Sequence, residues 1–457
     1  MSQAVDTFVE RNQSRLLEEL KEFLRIPSVS TLPEHKPDIA RAADLVAESL
    51  RRAGIENVEI IPTDGNPLIY GDWLHAPGKP TVLCYGHYDV QPPDPLDEWR
   101  NPPFEPTVSD GNIYARGSAD DKGQMYMHIK AVEALRAVHG TLPVNLKFLM
   151  EGEEEIGGAS IAKYVAANCV KLKSDIALVS DTALYADGLP TLCIGLRGMV
   201  YMEIEAIGPA RDLHSGLYGG ASPNPIFGLI ELLAKCKDPN GRILVRGVYD
   251  DVAPPAPAEK ESWAKLPFDE AEFLRNEVGS SRLTGESGFS VQERTWARPT
   301  FEVHGIAGGF TGAGAKTVIP SRATAKVSFR LVPNQDPQKI LALFRAFVVR
   351  EAPAGVRMDV RLLSMTPAVN VNPDHPLIQA AARAFSDKLA KPTVFTRTGL
   401  TIPVVTDFAA HLGIPTVLMG FGLPDDGLHS PNEKYRLQNY YLGIMTIAHF
   451  FEELDAK

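Results

Sequence analysis

The stretch TVLCYGHYDVQPP, residues 81–93, ends an apolar run at Gly86 and at once presents His87 and Asp89. Residues two apart on an extended chain project to the same side, so an imidazole and a carboxylate share one face there. Four further clusters carry the same residue types: YARGSADDKGQ with Asp120 and Asp121, EGEEEIGG with Glu154 and Glu155, SDT with Asp181, and FGLPDDGLHSPNE with His429. Singly, each has a plain structural reading: a cap or turn for a lone His or Asp, a solvated acidic turn for EGEEEIGG, a helix start for ADDKG. Together, two histidines and several carboxylates without a thiolate form an N/O donor set suited to Zn²⁺ or Mn²⁺. Three carboxylates facing two divalent ions leave a net charge of roughly +1, which a bridging hydroxide neutralises, and such a paired-metal site makes a nucleophile from water. One more carboxylate is then free to move protons. The neighbours Glu154 and Glu155 offer one group for each job.

These residues need a scaffold that delivers them to one place. Val5, Phe8, Val9, Leu16, Leu17, Leu20, Phe23 and Leu24 recur at helical spacing until Ile26-Pro27, and Asp38–Ala53 reads as a second amphipathic helix. Apolar runs of strand length follow at 81–85, 145–150, 176–179 and 415–419, separated by helical stretches such as 125–138 and 160–170. Alternation of this kind predicts an α/β fold with a mainly parallel sheet, in which ligands bind beyond the carboxyl ends of the strands. Four of the polar clusters follow such runs, and YARGSADDKGQ precedes a helix, so all are expected at one sheet edge.

From about Arg197 the texture changes. GMVYMEIEAIG and ATAKVSFRLVP alternate apolar and polar residues as strands with one wet face do, and YDDVAPPAPAEKESW reads as a Pro-rich loop. The strand-and-helix pattern resumes near Thr366. The expected organisation is a discontinuous catalytic domain, 1–197 and 366–457, interrupted by an inserted α+β domain at 198–365.

Hydrophobic residues make up 44% and charged residues 23% of the 457, a globular balance. The formal net charge of -11 supplies no attraction for nucleic acid or anionic lipid, so neither partner is expected. Cys84, Cys169, Cys193 and Cys236 form no CxxC pair and read as reduced thiols, with Cys84 assigned to the core. The N-terminal stretch lacks the layout of a signal peptide and no 18-residue apolar span occurs, so a cytoplasmic protein is expected. GGFTGAGAKT falls short of a phosphate-binding loop because Ala315 separates Gly314 from Lys316 and a strand-like run follows.

With GHYDV, RGSADDKG, EGEEEIGG, SDT, DLHSGLYGG, GAKTVIP, FRLVPN and HSPNE in this order, the chain resembles the dinuclear zinc aminoacyl-amide hydrolases that include carnosinase, peptidase V, carboxypeptidase G and succinyl-diaminopimelate desuccinylase. The dipeptidase branch with carnosinase is the nearest match, through DLHSGLYGG and FRLVPN. The resemblance implies that His87 and Asp181 hold one metal ion, Glu155 and His429 the other, and that Asp120 bridges them, with the Asp120–Asp121 peptide cis. It makes Asp89 the group that orients His87, and Glu154 the general base. For both neighbouring glutamates to reach the metals a turn is needed, for which Gly152, Gly157 and Gly158 are suited. The resemblance further implies that the insert is a lid and dimerisation domain of a homodimer. His214 would enter the partner's active site to stabilise the oxyanion, and Arg330 would bind the substrate's terminal carboxylate. Thr317 and Thr401 match further substrate contacts.

The implied function is a metallodipeptidase that cleaves the amide bond of small peptides with a metal-bridging hydroxide. Two divalent ions are expected, Zn²⁺ first and Mn²⁺ as the other choice. An N-acyl amino acid deacylase or desuccinylase would use the same site on another acyl group. A non-catalytic metal-dependent binding protein is the alternative of a different class; the presence of Glu154 speaks against it.

Overall fold

The computed structural model describes residues 3–455. The chain forms two compact units: Met1–Ile194 with Val371–Thr396 and Pro403–Lys457, and Gly195–Asn370 with Arg397–Ile402. In the first unit the strand Thr81–His87 lies between Asn145–Glu151 and Ile176–Val179, and Thr416–Leu418 follows beyond Ile176–Val179; all three pairings are parallel. Cys84 pairs in register with Phe148 on one side and Leu178 on the other. These strands are buried almost end to end, as continuous apolar runs demand in a sheet covered on both faces.

The mainly parallel sheet expected from the sequence is thus its centre, and its margins are antiparallel. Leu68–Trp73 runs antiparallel beside Asn145–Glu151, and Glu56–Ile61 antiparallel beside Leu68–Trp73. Glu56 and Glu59 are exposed on that outermost strand, where charge discourages pairing with another chain.

The helix Lys122–His139 packs on the strand Thr81–His87 and on the terminal helices Gln3–Leu24 and Leu437–Asp455. Every residue from Lys122 to Val132 is buried, the mark of an interior helix rather than an amphipathic one. It begins three residues before the apolar pattern does, because Lys122 is itself buried. The Lys122 ammonium donates to the carbonyls of Phe23 (3.2 Å) and Ile26 (2.6 Å), where the first helix ends and its dipole favours a cation. Burial still pulls this lysine down to about 7. Strand and helix approach so closely that a Cβ on Gly86 would lie 2.5 Å from Met125 Cγ. The end of that strand and the start of that helix are therefore fixed relative to one another.

The second unit holds an antiparallel sheet in the order Thr300–Gly308, Arg322–Leu331, Gly198–Ile207, Arg357–Thr366. Gly198–Ile207 alternates strictly: Val200, Met202, Ile204 and Ala206 enter a core with Phe301, Phe329 and Phe344, while Met199 and Tyr201 face outward. The three phenylalanine rings lie 4.9–5.7 Å apart, and each such pair adds about 0.5–1.5 kcal/mol beyond its buried area. The segment read as a Pro-rich loop ends at Ala256 and continues as the helix Pro257–Trp263. Pro257 is tolerated in the first turn, where no N–H partner is needed, and Glu259 accepts the Ala256 N–H at 2.9 Å. Among the described residues no helix is long and apolar enough to cross a membrane.

Candidate metal centre

The carboxyl ends of the parallel strands deliver the candidate residues in turn. His87 is the last residue of its strand, in register with Glu151; Glu154 and Glu155 occupy the turn after Glu151, Asp181 lies two residues past Val179, and His429 is in the segment after Leu418. Two groups of ligand atoms converge, His87 with Asp120 and Asp181, and Asp120 with Glu155 and His429, each within 4.8 Å. Asp120 belongs to both. Its Oδ1 is 3.2 Å from His87 Nε2 and its Oδ2 is 2.9 Å from His429 Nε2, while Glu155 Oε2 is 3.3 Å from the same His429 nitrogen. A carboxylate whose two oxygens face two imidazoles is shaped to bridge two ions. Three carboxylates and two imidazoles without a thiolate fit Zn²⁺ or Mn²⁺.

Glu433 holds Asp120 in place. Its fully buried carboxylate accepts the backbone N–H groups of Gly117 (3.0 Å), Ala119 (2.9 Å) and Asp120 (3.2 Å), and pairs with Arg116 Nη1 at 2.7 Å. It lies four residues after His429, so one side chain joins the segment carrying His429 to the segment carrying Asp120. Glu433 ends the motif HSPNE, and the pattern of that motif alone assigns it no role; the signal in the sequence is an acid that closes a stretch carrying a candidate ligand. The Asp120–Asp121 peptide is cis, as the resemblance implied. Asp121 Oδ2 accepts the His87 backbone N–H at 3.2 Å.

Asp89 does more than orient an imidazole. His87 Nδ1 lies 3.1 Å from the Asp89 carbonyl and 3.4 Å from its Oδ1, which leaves Nε2 facing Asp120 and available as a ligand. The same carboxylate accepts the N–H groups of Glu154 (3.3 Å) and Glu155 (3.2 Å). Those residues open a single turn, Glu154–Ile156, closed by Gly157 at φ 98° and Gly158 at φ 60°, left-handed conformations that favour glycine. Gln91 Nε2 then donates to Glu155 Oε2 at 2.7 Å.

Crowding acids and imidazoles together shifts their proton affinities. Burial opposes protonation of His87, yet hydrogen bonds to Asp120 and Asp89 outweigh it and hold the imidazole well above its usual range. Hydrogen bonds to Asp120 and then Glu155 raise His429 to about 10. Burial raises Asp181 to about 7 and lifts Glu154 well above the usual carboxylate range, and the charges of neighbouring acids add to both. Asp120 is pushed up by burial, but the two histidines outweigh that and hold it low.

The remaining candidates belong to the second unit. His214 is exposed, and its Nδ1 accepts the Gly216 N–H at 3.0 Å, so the neutral ring carries its proton on Nε2. The Thr317 carbonyl accepts the Ser215 N–H at 3.1 Å, which places this residue beside His214. Arg330 Nη1 donates to Thr401 Oγ1 at 2.7 Å, and that hydroxyl donates to the Arg197 carbonyl at 2.6 Å.

Residues 83–453 match Peptidase family M20/M25/M40. The chain is 33% identical over 459 residues to a Cys-Gly metallodipeptidase of Candida albicans, covering 96% of this chain and 94% of that protein. It is likewise 33% identical over 465 residues to the Beta-Ala-His dipeptidase of Homo sapiens, with 98% and 91% covered. The solved M20 family metallo-carboxypeptidase Sso-CP2 from Sulfolobus solfataricus superposes with a TM-score of 0.88 at 31% identity, over 97% of this chain and 99% of that one.

Metal ions bind neutral imidazole nitrogens and ionised carboxylates, so ions held by these candidates would have to displace the protons that His87, His429 and Asp181 hold near neutral pH. Returning Zn²⁺ to chelator-treated protein at pH 7 is expected to release about two to three protons per chain, and affinity is expected to climb with pH until His429 gives up its proton at about 10. Calorimetry in buffers of different ionisation enthalpy measures both; uptake without proton release would contradict these protonation states.

Proposed function

The chain belongs to peptidase family M20/M25/M40, and on that premise we propose that it is a metal-dependent dipeptidase acting on small unblocked peptides. The observation that carries this reading is the carboxylate of Asp120 shared between two ligand groups, with Glu154 in the adjoining turn. His87 and Asp181 would hold one ion and Glu155 and His429 the other, with Asp120 common to both groups. Zn²⁺ is the proposed ion, and Mn²⁺ suits the same donors. When bound, the two ions supply an activated water and a polarised scissile carbonyl.

The chain's own residues do the rest. Glu154, whose enclosed carboxyl group holds a proton more readily than a free one, takes the proton of the attacking water and returns it to the leaving amine nitrogen. Asp89 keeps His87 and the Glu154–Glu155 turn in mutual register. Arg330 receives the substrate's terminal carboxylate, a planar anion that a guanidinium matches, and Thr401 steadies that guanidinium. Thr317 shapes the same approach. The relatives named for Cys-Gly and Beta-Ala-His act on dipeptides of different residues, which supports a substrate class defined by size and free ends.

His214 is proposed to reach the partner's active site in a homodimer and to stabilise the oxyanion through its Nε2–H. Its exposure and fixed tautomer support this role. The exposed Leu217, Phe227, Ile230 and Ile306 and the edge strand Thr300–Gly308 support dimerisation through the second unit, which acts as the lid domain. Four free cysteines suit a reducing, cytoplasmic setting.

Hydrolysis of unblocked dipeptides beside N-acetyl and N-succinyl amino acids, after chelation and return of Zn²⁺ or Mn²⁺, tests the proposal. Metal-dependent cleavage confined to dipeptides is expected; cleavage of the acylated compounds alone would move the protein to the deacylases. Glu154→Ala is expected to keep its metal while kcat falls by about 10²–10⁴-fold. Mixing it with His214→Ala should restore activity through mixed dimers, and no recovery after confirmed subunit exchange would contradict the role in trans.

A further inference from the structure

Arg197 immediately precedes the strand Gly198–Ile207 in the second unit, and most of its polar atoms are used by the segment 399–401. Its N–H donates to the Leu400 carbonyl at 3.0 Å, its carbonyl accepts the Thr401 hydroxyl at 2.6 Å, and Nε leans on the Gly399 carbonyl at 3.4 Å. Nη1 differs: it is buried and has no hydrogen-bond partner. A buried guanidinium donor left unmatched costs on the order of 1–3 kcal/mol, so its retention asks for a ligand.

The charge has no partner either. Arg397, two residues before that segment, is held by Glu259 at 2.7 Å, whereas Arg197 and Arg330 form no ion pair with a carboxylate among the described residues. Glu302, an acid whose charge reaches Arg197, is engaged by Lys237 at 3.0 Å. Arg330 sits opposite Met199 in the antiparallel register, so Arg197, two residues before Met199, is its diagonal neighbour on the same sheet face. Thr401 joins the two, accepting from Arg330 and donating to the Arg197 carbonyl. Burial, followed by the charge of Arg330, pulls Arg197 down to about 10, and burial lowers Arg330 as well. At position 399 a Cβ would come within 2.7 Å of Arg197 Nη2, so glycine there leaves the guanidinium its room. Two neighbouring cations without a counter-charge are stabilised by an anion shared between them.

We propose that Arg197 is the second guanidinium of the carboxylate clamp: its free Nη1–H and Arg330 together hold the terminal carboxylate of the substrate. The inference rests on the dipeptidase reading and deepens it, because selection of a free acid over a C-terminal amide then depends on two arginines. Thr401 acts as the residue that positions both.

The test compares a dipeptide with its C-terminal amide in the Zn²⁺-loaded wild type and in Arg197→Met, Arg197→Lys and Arg330→Met, with metal content and unfolding midpoint recorded for each. The wild type is expected to favour the acid. Arg197→Met is expected to raise KM for the acid about 10- to 100-fold while kcat/KM for the amide stays within about threefold, and Arg197→Lys to recover part of the loss. Equal losses on acid and amide would make Arg197 a brace for the segment 399–401 and overturn the proposal. If the methionine variant does not accumulate, the lysine variant, which keeps charge and stem but lacks Nη1, decides by the same ratio. A wild type indifferent to the carboxylate would instead overturn the dipeptide reading, whereas loss of selectivity in Arg330→Met alone would overturn only the part assigned to Arg197.

Discussion

Asp120 presents one carboxylate oxygen to each of two histidines, and much of the first unit is arranged to keep it there. Acids whose ligand atoms lie within 4.8 Å of one another repel by about 3–4 kcal/mol per charged pair at an effective dielectric constant near 20. Left to itself such a cluster spreads apart or takes up protons. The chain opposes spreading with backbone: Glu433 gathers three N–H groups of the loop that carries Asp120, and Asp89 gathers two from the turn that carries Glu154 and Glu155. What remains of the repulsion is available to divalent cations.

The fold supplies the rigidity this requires. Parallel strands buried on both faces end at one edge, and the interior helix Lys122–His139 fixes the start of its own turn against the strand that ends in His87. Arg116 and Glu433, both almost completely buried, form an ion pair within this frame. Removing one member leaves the other uncompensated, a loss of about 3–5 kcal/mol, so the pair works as a fixture more than as a source of stability. In the second unit the logic is reversed: among the described residues neither Arg197 nor Arg330 forms an ion pair with an acid, the arrangement we propose for receiving a carboxylate.

The central strands were legible because each is a continuous apolar run, and the ligand candidates were legible because His87 and Asp181 lie two residues past such runs and His429 in the polar segment that follows the last of them. The strands Glu56–Ile61 and Leu68–Trp73 escaped the sequence reading. The first is largely exposed and carries charge at the sheet margin, and the second is interrupted by Gly71 and Asp72, so neither shows a clear period. The helix at Pro257 was hidden by the prolines before it, since a Pro-rich run and a Pro-initiated helix look alike until the capping glutamate is seen in place. Glu433, Asp89's second task and Arg197 share another reason for being missed. Their importance lies in which backbone groups they meet, or in which partner they lack, and local spacing does not encode that.

Diffraction from crystals of the Zn²⁺-loaded protein, with anomalous scattering recorded at the zinc edge, tests the account at its centre. Two ions per chain, both bonded to Asp120, one also to His87 and the other also to His429, are expected. One ion per chain, or two that do not share Asp120, would show that this carboxylate is not the element around which the site is built.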